Sequence, residues 1–410
     1  MVNSVNLSRA EPLVYTLSDC LQRAAGQNRT VLAARFKAQS ERHKEAGVFA
    51  DYFPKIQAQG VYFNAVSGSI DGFFAKLIDP HPTAAQLIAV QPVTQLVKIH
   101  YAHRIAGADR GMAESDEATA RAEVAKSVKQ LYWKGLELYA QRDAVAASLR
   151  YLNSKLADAE AAEKAGKLLP DAVREVEANL IEAQKREIEV KAGIESVRMN
   201  LAVLLGLDPA TEFTLSQSAE LAAPSMADAL ERTAAKQRPE VCRAEFQAAK
   251  AGAAVALAKT GYIPDITVAA GEFRQKGFPF LPVNGTAAMV TLQWNLFDWG
   301  KRENEVAERK DLKRAAELQA AEQRDKVRVE VRQALNTLET VRGSLALAEA
   351  QRRLAQERLR IVEDRRSVDK ATQTDVLEAR MRMAIADAQA ASARSAYNSQ
   401  AAEVERAAGV

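Results

Sequence analysis

Residues 287–300 read AAMVTLQWNLFDWG, and this stretch decides the fold class. Apolar and polar side chains alternate along its first part, which predicts a β-strand with one apolar face. Asp298-Trp299-Gly300 ends the alternation, and a helical pattern then runs from Lys301 to about Arg366, roughly 100 Å of helix. The residues predicted to share the apolar face are Ala288, Val290, Leu292, Trp294 and Leu296. A strand followed by a helix of this length is not typical of a small globular domain, because the helix is much longer than such a domain is wide.

The chain of 410 residues carries this plan twice. Phe53-Pro54-Lys55-Ile56 recurs as Ile263-Pro264-Asp265-Ile266, at an offset of 210 residues. Each copy is predicted as α-β-β-α-α, in which the last two helices form a long hairpin. We predict a first structural repeat over residues 1–210, a linker over 211–225 and a second repeat over 226–410. Isolated strand pairs leave unpaired edges in one chain, which favours assembly.

The element boundaries are predicted from hydrophobic periodicity and from the positions of glycine and proline. The first repeat is predicted to contain a helix from Leu17 to about Ala50 opened by Thr16 or Ser18, a strand around Ile56, an extended segment from Ala85 to about Val97, a helix from Ala108 to Ala165 and a return helix ended by Gly206. Pro92 indicates an irregular or edge position in a sheet. The second repeat is predicted to contain a helix from Met226 to about Thr260, a strand around Ile266, the strand and long helix described above, and a return helix from about Asp375 to Ala407.

Composition argues against several classes of protein. The formal net charge is +3 with 27% charged residues of mixed sign, which is not typical of a nucleic-acid-binding protein. No apolar run approaches the roughly 18 residues of a transmembrane helix, although the alternating strands of outer-membrane proteins also leave hydropathy low. The start at Met1 has no signal-peptide pattern, so we expect a mature, trimmed or mis-started form. The two cysteines, Cys20 and Cys242, indicate no disulfide framework.

Catalytic and metal-binding patterns are not found in the sequence. There is no nucleophile elbow and no glycine-rich phosphate loop before a helix, so we predict neither an enzyme nor a cofactor. His100 and His103 lie three apart with no acid or cysteine beside them, and we interpret them as structural. The aromatic residues Phe73-Phe74 and Phe278-Pro279-Phe280 fall in corresponding strand–strand loops, where shielding of a pore mouth, lipid contact and local packing all remain open.

Four motifs in the correct order give the chain a recognisable signature. With them the sequence resembles the TolC-like outer-membrane efflux family over nearly its whole length. The motifs are Phe53–Ile56 with Ile263–Ile266, Leu204–Pro209, Trp294–Gly300 and Thr374–Ala379.

The resemblance implies an α+β membrane protein that works as a homotrimer. Each chain would give four strands to one twelve-stranded β-barrel, and the long helices would continue it as a periplasmic α-helical barrel. Closure of a barrel would remove the unpaired strand edges. The implied function is an outer-membrane duct of a tripartite efflux or type I secretion system. It would export small molecules or proteins, with a periplasmic adaptor (membrane fusion protein) and an inner-membrane pump as partners. The alternative is a soluble periplasmic coiled-coil scaffold or adaptor, which would have no use for the apolar face of the Trp294 strand.

The resemblance also implies site residues. Asp375 and Glu378 match the acidic segment that constricts the periplasmic mouth in this family, whereas their position also fits a helix-capping box opened by Thr372. Val290, Leu292 and Trp294 are predicted to face lipid.

The hairpin tips, expected to contact the adaptor, are Gly166-Lys167 and Asp369-Lys370. The sequence departs from the family pattern at the second tip, where Val368-Asp369 lacks the usual glycine. It also departs at Val93–Lys98, where the first repeat lacks the aspartate-to-glycine stop, so strand and helix are expected to join differently there.

Overall fold

The structure is a computed structural model that describes residues 13–62, 81–216, 227–277 and 282–409. Phe73-Phe74, Phe278-Pro279-Phe280 and residues 217–225 of the predicted linker therefore lie outside the described residues. The chain is mostly helical with a small sheet, and the described elements follow the predicted order in both halves.

In the first half the elements are β1 (Leu13–Tyr15), α1 (Leu17–Gln27), α2 (Arg29–Ala50), β2 (Lys55–Tyr62), β3 (Thr83–Pro92), α3 (Gln95–Lys164), α4 (Pro170–Leu204) and β4 (Phe213–Leu215). In the second half they are α5 (Ala227–Gln237), α6 (Pro239–Lys259), β5 (Asp265–Lys276), β6 (Asn284–Gln293), α7 (Lys301–Ser367) and α8 (Gln373–Ala408). No helix among the described residues is both long and apolar enough to cross a membrane.

The single helix predicted from Leu17 to Ala50 is wrong, because it breaks at Asn28 into α1 and α2. The side-chain oxygen of Asn28 accepts hydrogen bonds from the N–H groups of Thr30 and Val31, and its amide donates to the carbonyl of Leu204 at 2.9 Å. Asparagine thus ends one helix and caps the next, as short polar side chains do. Thr16, one of the two predicted caps, caps α1 through a capping box with Asp19.

The first helix of the second half is also divided, at Arg238, which is 3% exposed. Pro239 opens α6, and a residue before proline is disfavoured in the helical conformation. The Arg238 guanidinium donates to Glu240 at 2.9 Å and to Glu330. The break therefore places a buried cation beside α7.

The junction between β3 and α3 differs from the prediction. The strand ends at Pro92 and the helix begins at Gln95, so the extended segment to Val97 and the helix start at Ala108 are both wrong. The N–H of Val93 donates to the carbonyl of Ile266 at 2.8 Å, and the Thr94 hydroxyl accepts from the N–H of Ile266 at 2.6 Å. These bonds form the turn without a glycine, whereas the β6–α7 junction uses Gly300 at φ 81°.

The four longer strands form one antiparallel sheet in the order β2-β3-β5-β6. Strand β3 lies inside this sheet, so Pro92 is not on an edge strand; it is tolerated because it is the last residue of the strand. The register places Ile56, Leu87, Val268, Val290 and Leu292 on one face. The opposite face carries glutamine and threonine, including the Gln86–Gln59 hydrogen bond of 2.6 Å.

The chain divides into two compact units, each drawn from both halves. The first comprises residues 1–35, 116–241 and 324–410, and the second comprises residues 36–115 and 242–323. These units do not correspond to the predicted repeats, which divide the chain along its sequence. The predicted repeat boundaries stay a prediction.

The first unit has two clusters of buried side chains. One surrounds Tyr132 and Leu201, beneath the parallel pair β1 and β4, and the Tyr132 hydroxyl donates to the carbonyl of Ser216. The other packs Val331 and Leu338 of α7 against Val404 of α8. The buried thiol of Cys20 belongs to the first cluster, and its removal from water raises its pKa to about 12, so it is unreactive at neutral pH.

Candidate gate, hairpin tips and assembly surfaces

Asp375 forms the predicted capping box at the start of α8. The Thr372 N–H donates to Asp375 Oδ2 at 2.7 Å, and the Asp375 N–H donates to Thr372 Oγ1 at 3.1 Å. The backbone N–H of Thr372, together with its hydroxyl, holds the pKa of Asp375 below its ordinary value. Asp375 is exposed and therefore carries a negative charge at neutral pH.

Glu378 lies one turn further along α8 and is neutralised within the chain. Arg382 donates to Glu378 Oε1 at 2.6 Å in an i,i+4 pair. Both carboxylates line a groove of about 880 Å³ between α7 and α8. Four basic side chains line the same groove: Arg358, Arg365, Lys370 and Arg382. Sequence reasoning considered the acids alone and missed these cations, although the spacing of Glu378 and Arg382 was readable.

The two hairpin tips have the same backbone hydrogen bonds despite their different residues. At the first tip, Lys167 N–H donates to the carbonyl of Ala162 at 2.8 Å, and Gly166 adopts φ 66°. At the second, Lys370 N–H donates to the carbonyl of Arg365 at 2.9 Å, and Asp369 adopts φ 57°. Both are Schellman endings, and aspartate is one of the few residues that enter the left-handed region readily. The missing glycine therefore leaves the shape of the tip unchanged.

The four long helices of the first unit lie side by side in the order α4, α3, α8, α7. Gly193 of α4 faces Leu138 of α3, whose side chain would lie 3.4 Å from a Cβ at that glycine. Ser392 of α8 donates to Glu137 of α3 at 3.2 Å, and Arg352 of α7 donates to Asp387 of α8 at 2.7 Å. The outer helices, α4 and α7, therefore form the two edges of the row.

Both edges expose large apolar residues at heptad spacing. On α7 these are Leu347, Leu354 and Ile361, and on α4 they are Ile181 and Ile188. Ile188 is 69% and Leu354 is 52% exposed, so neither is buried within the chain. A seven-residue repeat of apolar side chains is typical of helices that pack against another helix.

Two of the three residues predicted to face lipid lie within a strand, and the prediction that they face lipid stays a prediction. Val290 and Leu292 lie on β6 on the apolar face described above, and both are exposed. Trp294 lies just beyond the last residue of β6, so its predicted place within the strand is wrong, as is that of Leu296.

An ion network close to the carboxyl end of α8 was not predicted. Arg406 donates to Glu330 of α7 and to Glu403, and Arg238 reaches the same Glu330. These hydrogen bonds hold the pKa of Glu330 and of Glu403 below the ordinary value against the opposing effect of burial. Arg238 and Glu330 are 92 residues apart in sequence, so no local pattern could have paired them.

The imidazole of His103 lies 3.8 Å from Glu45 and contacts the ring of Phe49. Among the described residues no group of three or more histidine, cysteine, aspartate or glutamate side chains has the arrangement of a metal site.

Comparisons with known proteins agree with this geometry. Residues 230–410 match the family model described as outer membrane efflux protein. No curated protein sequence matches the chain at a significant level.

Solved structures share the fold over almost the whole chain. The CmeC outer membrane channel of Campylobacter jejuni has a TM-score of 0.78 at 17% identity, covering 96% of this chain and 85% of its own. The outer membrane protein VceC of Vibrio cholerae has a TM-score of 0.76 at 17% identity, covering 96% of both chains. The MtrE outer membrane channel of Neisseria gonorrhoeae has a TM-score of 0.73 at 17% identity, covering 96% of this chain and 88% of its own.

The predicted resemblance is thereby confirmed: residues 230–410 are similar to outer membrane efflux proteins, and the fold is shared with TolC-like channels. Proteins of this family are channels and not enzymes.

The capping box predicts an acid-sensitive start of α8. Because the pKa of Asp375 is lower in the folded state, its stabilisation is complete above the ordinary pKa of aspartate and is lost as pH falls through the lowered value. Thr372→Ala should reduce the free energy of unfolding by about 1 kcal/mol at pH 7. The variant should lose only the part of this acid dependence that comes from the Thr372 hydroxyl, because alanine keeps the backbone N–H that lowers the pKa of Asp375 most. Thermal midpoints of both proteins between pH 7 and acid measure it, and parallel pH profiles would contradict the assignment.

Proposed function

We propose that three copies of this chain assemble in the outer membrane into a duct for export from the periplasm. The observation that carries the proposal is the pair of unpartnered apolar edges on α4 and α7. The two edges are different surfaces, so contact between copies is head-to-tail, and a rotation that closes gives a ring. The sheet also favours head-to-tail contact, because its two edge strands, β2 and β6, are different surfaces.

The heights of the two apolar edges along the row of helices support packing of α4 of one copy against α7 of the next. Gln389 of α8 lines the groove that contains Leu354, and it also lines the groove that contains Val190 beside Ile188. Ile188 of one copy and Leu354 of the next are therefore at matching heights for side-by-side packing. Packing of heptad positions from adjacent copies would bury side chains that the single chain leaves in water.

The sheet supports a membrane-embedded role. With four strands from each copy, three sheets would form the twelve-stranded barrel that the resemblance implies, with no free strand edge. Its apolar face, with Val290 and Leu292, would face lipid, and Trp294 would follow in the same alternation. The glutamine-rich face would line the lumen. A soluble scaffold or adaptor would have no reason to keep this apolar face exposed.

The partners in this proposal are a periplasmic adaptor and an inner-membrane pump. Together with the duct they would form a tripartite efflux or type I secretion system for small molecules or proteins. The adaptor would contact the hairpin tips at Gly166-Lys167 and Asp369-Lys370, whose shared Schellman geometry presents two equivalent turns per chain.

The gate is placed at Asp375, with Glu378 in support. Threefold symmetry would turn one carboxylate per chain into a ring, which favours cations over anions. Asp375 contributes more than Glu378, because Arg382 already neutralises the latter.

Selectivity measurements in planar bilayers separate the gate from the helix cap. Asp375→Asn keeps an oxygen for the Thr372 N–H but removes the charge, so cation preference should fall. Thr372→Ala keeps the charge and should leave selectivity unchanged. If Asp375→Asn has the selectivity of the wild type, capping is the only role of this carboxylate.

Membrane fractionation tests the proposed assembly. The protein should be found in the outer-membrane fraction, and the detergent-extracted complex should have three times the mass of the 44.7 kDa chain. A monomer in the soluble periplasmic fraction would overturn the proposal in favour of a scaffold.

A further inference from the structure

A groove of about 440 Å³ lies on the apolar face of the sheet, near the end remote from the helices. Six of the residues that line it belong to that face: Ala58, Gly60, Ala85, Leu87, Glu272 and Arg274. Its floor consists of small residues, and a Cβ added at Gly60 would meet no other atom of the described residues within 4 Å. The groove therefore has open space above Gly60 that is accessible to a ligand.

The apolar face is the more accessible side of the sheet. On β3 the residues of this face, Ala85, Leu87 and Ala89, are exposed, whereas Ile88 and Val90 of the opposite face are half-buried. The groove is thus open to the surroundings of the chain and not to the lumen proposed above.

The apolar face becomes polar on β5, at the rim of the groove. Glu272, Arg274 and Lys276 are alternate strand residues, all exposed, on the same face as Val268. Arg274 lies 3.6 Å from Glu272, but their side chains are 77% and 58% exposed, and such a pair contributes little to stability. A guanidinium has five N–H donors, so Arg274 can still bind a phosphate with two of them. Two cations beside an apolar groove match a ligand that has both a phosphate and an acyl chain.

The height of Arg274 in the sheet fits the headgroup layer of a membrane. Its partner on β6 is Asn284, eight residues before Leu292. Eight residues rise about 27 Å along a strand, which is about 20 Å along the axis of a barrel whose strands are tilted by about 40°. The apolar band of such a barrel is about 25 Å tall, so with Leu292 inside the band Arg274 lies close to its outer boundary or beyond it.

We propose that this groove binds a phosphorylated lipid of the outer leaflet, with one acyl chain over Ala58 and Gly60 and the phosphate on Arg274 and Lys276. The inference rests on the membrane role proposed above and adds a ligand class to the outer face of the sheet. In that proposal the helices extend into the periplasm, so the end of the sheet with Arg274 is the outer end. Each chain would bind one lipid.

Native mass spectrometry of the detergent-extracted protein counts the bound lipid directly. Phosphatidic acid is the probe, because it is a simple lipid with both a phosphate monoester and acyl chains. Diacylglycerol with the same acyl chains lacks the phosphate, and inorganic phosphate lacks the chains. We expect up to one phosphatidic acid per chain, binding of diacylglycerol that is about tenfold weaker, and no displacement of the lipid by equimolar inorganic phosphate.

Two variants test the two parts of the site. Arg274→Gln should weaken the binding of phosphatidic acid about tenfold and leave that of diacylglycerol unchanged. Its matched control is Arg174→Gln, since the Arg174 side chain on α4 is 81% exposed, close to the 77% of Arg274, and this variant should bind both lipids as the wild type does. Gly60→Leu fills the groove with a side chain that has open space, so it should weaken the binding of both lipids at an unchanged thermal midpoint.

The outcomes separate this inference from the proposed function. Equal binding of phosphatidic acid and diacylglycerol, or wild-type binding by Arg274→Gln, overturns the phosphate site. Wild-type binding by Gly60→Leu overturns the groove, and displacement of the lipid by inorganic phosphate would assign Arg274 to a free-anion site and overturn the inference as well. These results leave the duct intact if the protein is found in the outer-membrane fraction. Absence from that fraction refutes the membrane role on which the inference rests.

Discussion

Insertion of one alanine after Leu338 should abolish trimer formation. One added residue rotates every later position of α7 by about 100° relative to the preceding turn. Val331 and Leu338 stay in the buried cluster, but Leu347, Leu354 and Ile361 leave the exposed edge together. Charged residues of α7 then face the neighbouring copy in place of the apolar ones. A heptad interface does not tolerate this change over three successive repeats.

Native mass spectrometry of the detergent-extracted protein measures this effect. A matched control places one alanine after Lys370, in the connection between α7 and α8, where it rotates neither α7 nor its exposed edge. The control should form trimers at the yield of the wild type. Intact trimers from the Leu338 insertion would mean that this edge is not an interface.

Leu292→Arg should prevent stable insertion into the membrane. Leu292 lies opposite Ile266 on the apolar face of the sheet, and it is 63% exposed in the single chain. An arginine that faces lipid near the midplane of the bilayer costs about 2–4 kcal/mol, and the threefold assembly would contain three of them. The amount of protein in the outer-membrane fraction should fall accordingly.

Gln293→Arg is the control for Leu292→Arg, because adjacent strand residues face opposite sides of the sheet. Gln293 lies opposite Asp265 on the polar face, so arginine there should be accommodated in the lumen. If Gln293→Arg were the damaging change, the two faces would be exchanged and the register wrong by one residue.

Much of the fold was readable from the sequence because its periodicities are long. The rod from Lys301 was predicted closely, since many residues repeat the same pattern, and the strand before it was predicted except for its end, which lies at Gln293. The Thr372 capping box was also visible, because its two residues, Thr372 and Asp375, are only three positions apart in sequence.

The failures have physical reasons at particular residues. Asn28 breaks a helix because it bonds to Leu204, 176 residues away, and no local pattern contains that partner. The segment Gln95–Val97 is short and apolar, and such a run suits a strand or a helix equally. Pro239 indicates the break before α6 in the sequence itself, because the residue before a proline is disfavoured in the helical conformation.

The sequence predicted that the candidate site contains acidic side chains, but it did not predict the basic side chains beside them. The acids at Asp375 and Glu378 were found through the resemblance. The groove that brings Arg358 and Arg365 close to them depends on how α7 packs against α8. Three-dimensional packing therefore decides how much negative charge the proposed gate presents.

Disulfide cross-linking between α4 of one copy and α7 of the next tests the head-to-tail trimer. Ile188→Cys and Leu354→Cys are combined in one chain that lacks Cys20 and Cys242, and the assembled protein is oxidised in membranes. We expect covalent dimers and trimers, with no species larger than three chains. Each single-cysteine variant should remain monomeric, because a head-to-tail interface does not bring a residue against its own copy. Dimers from a single-cysteine variant, or no cross-link in the double variant, would contradict the trimeric duct.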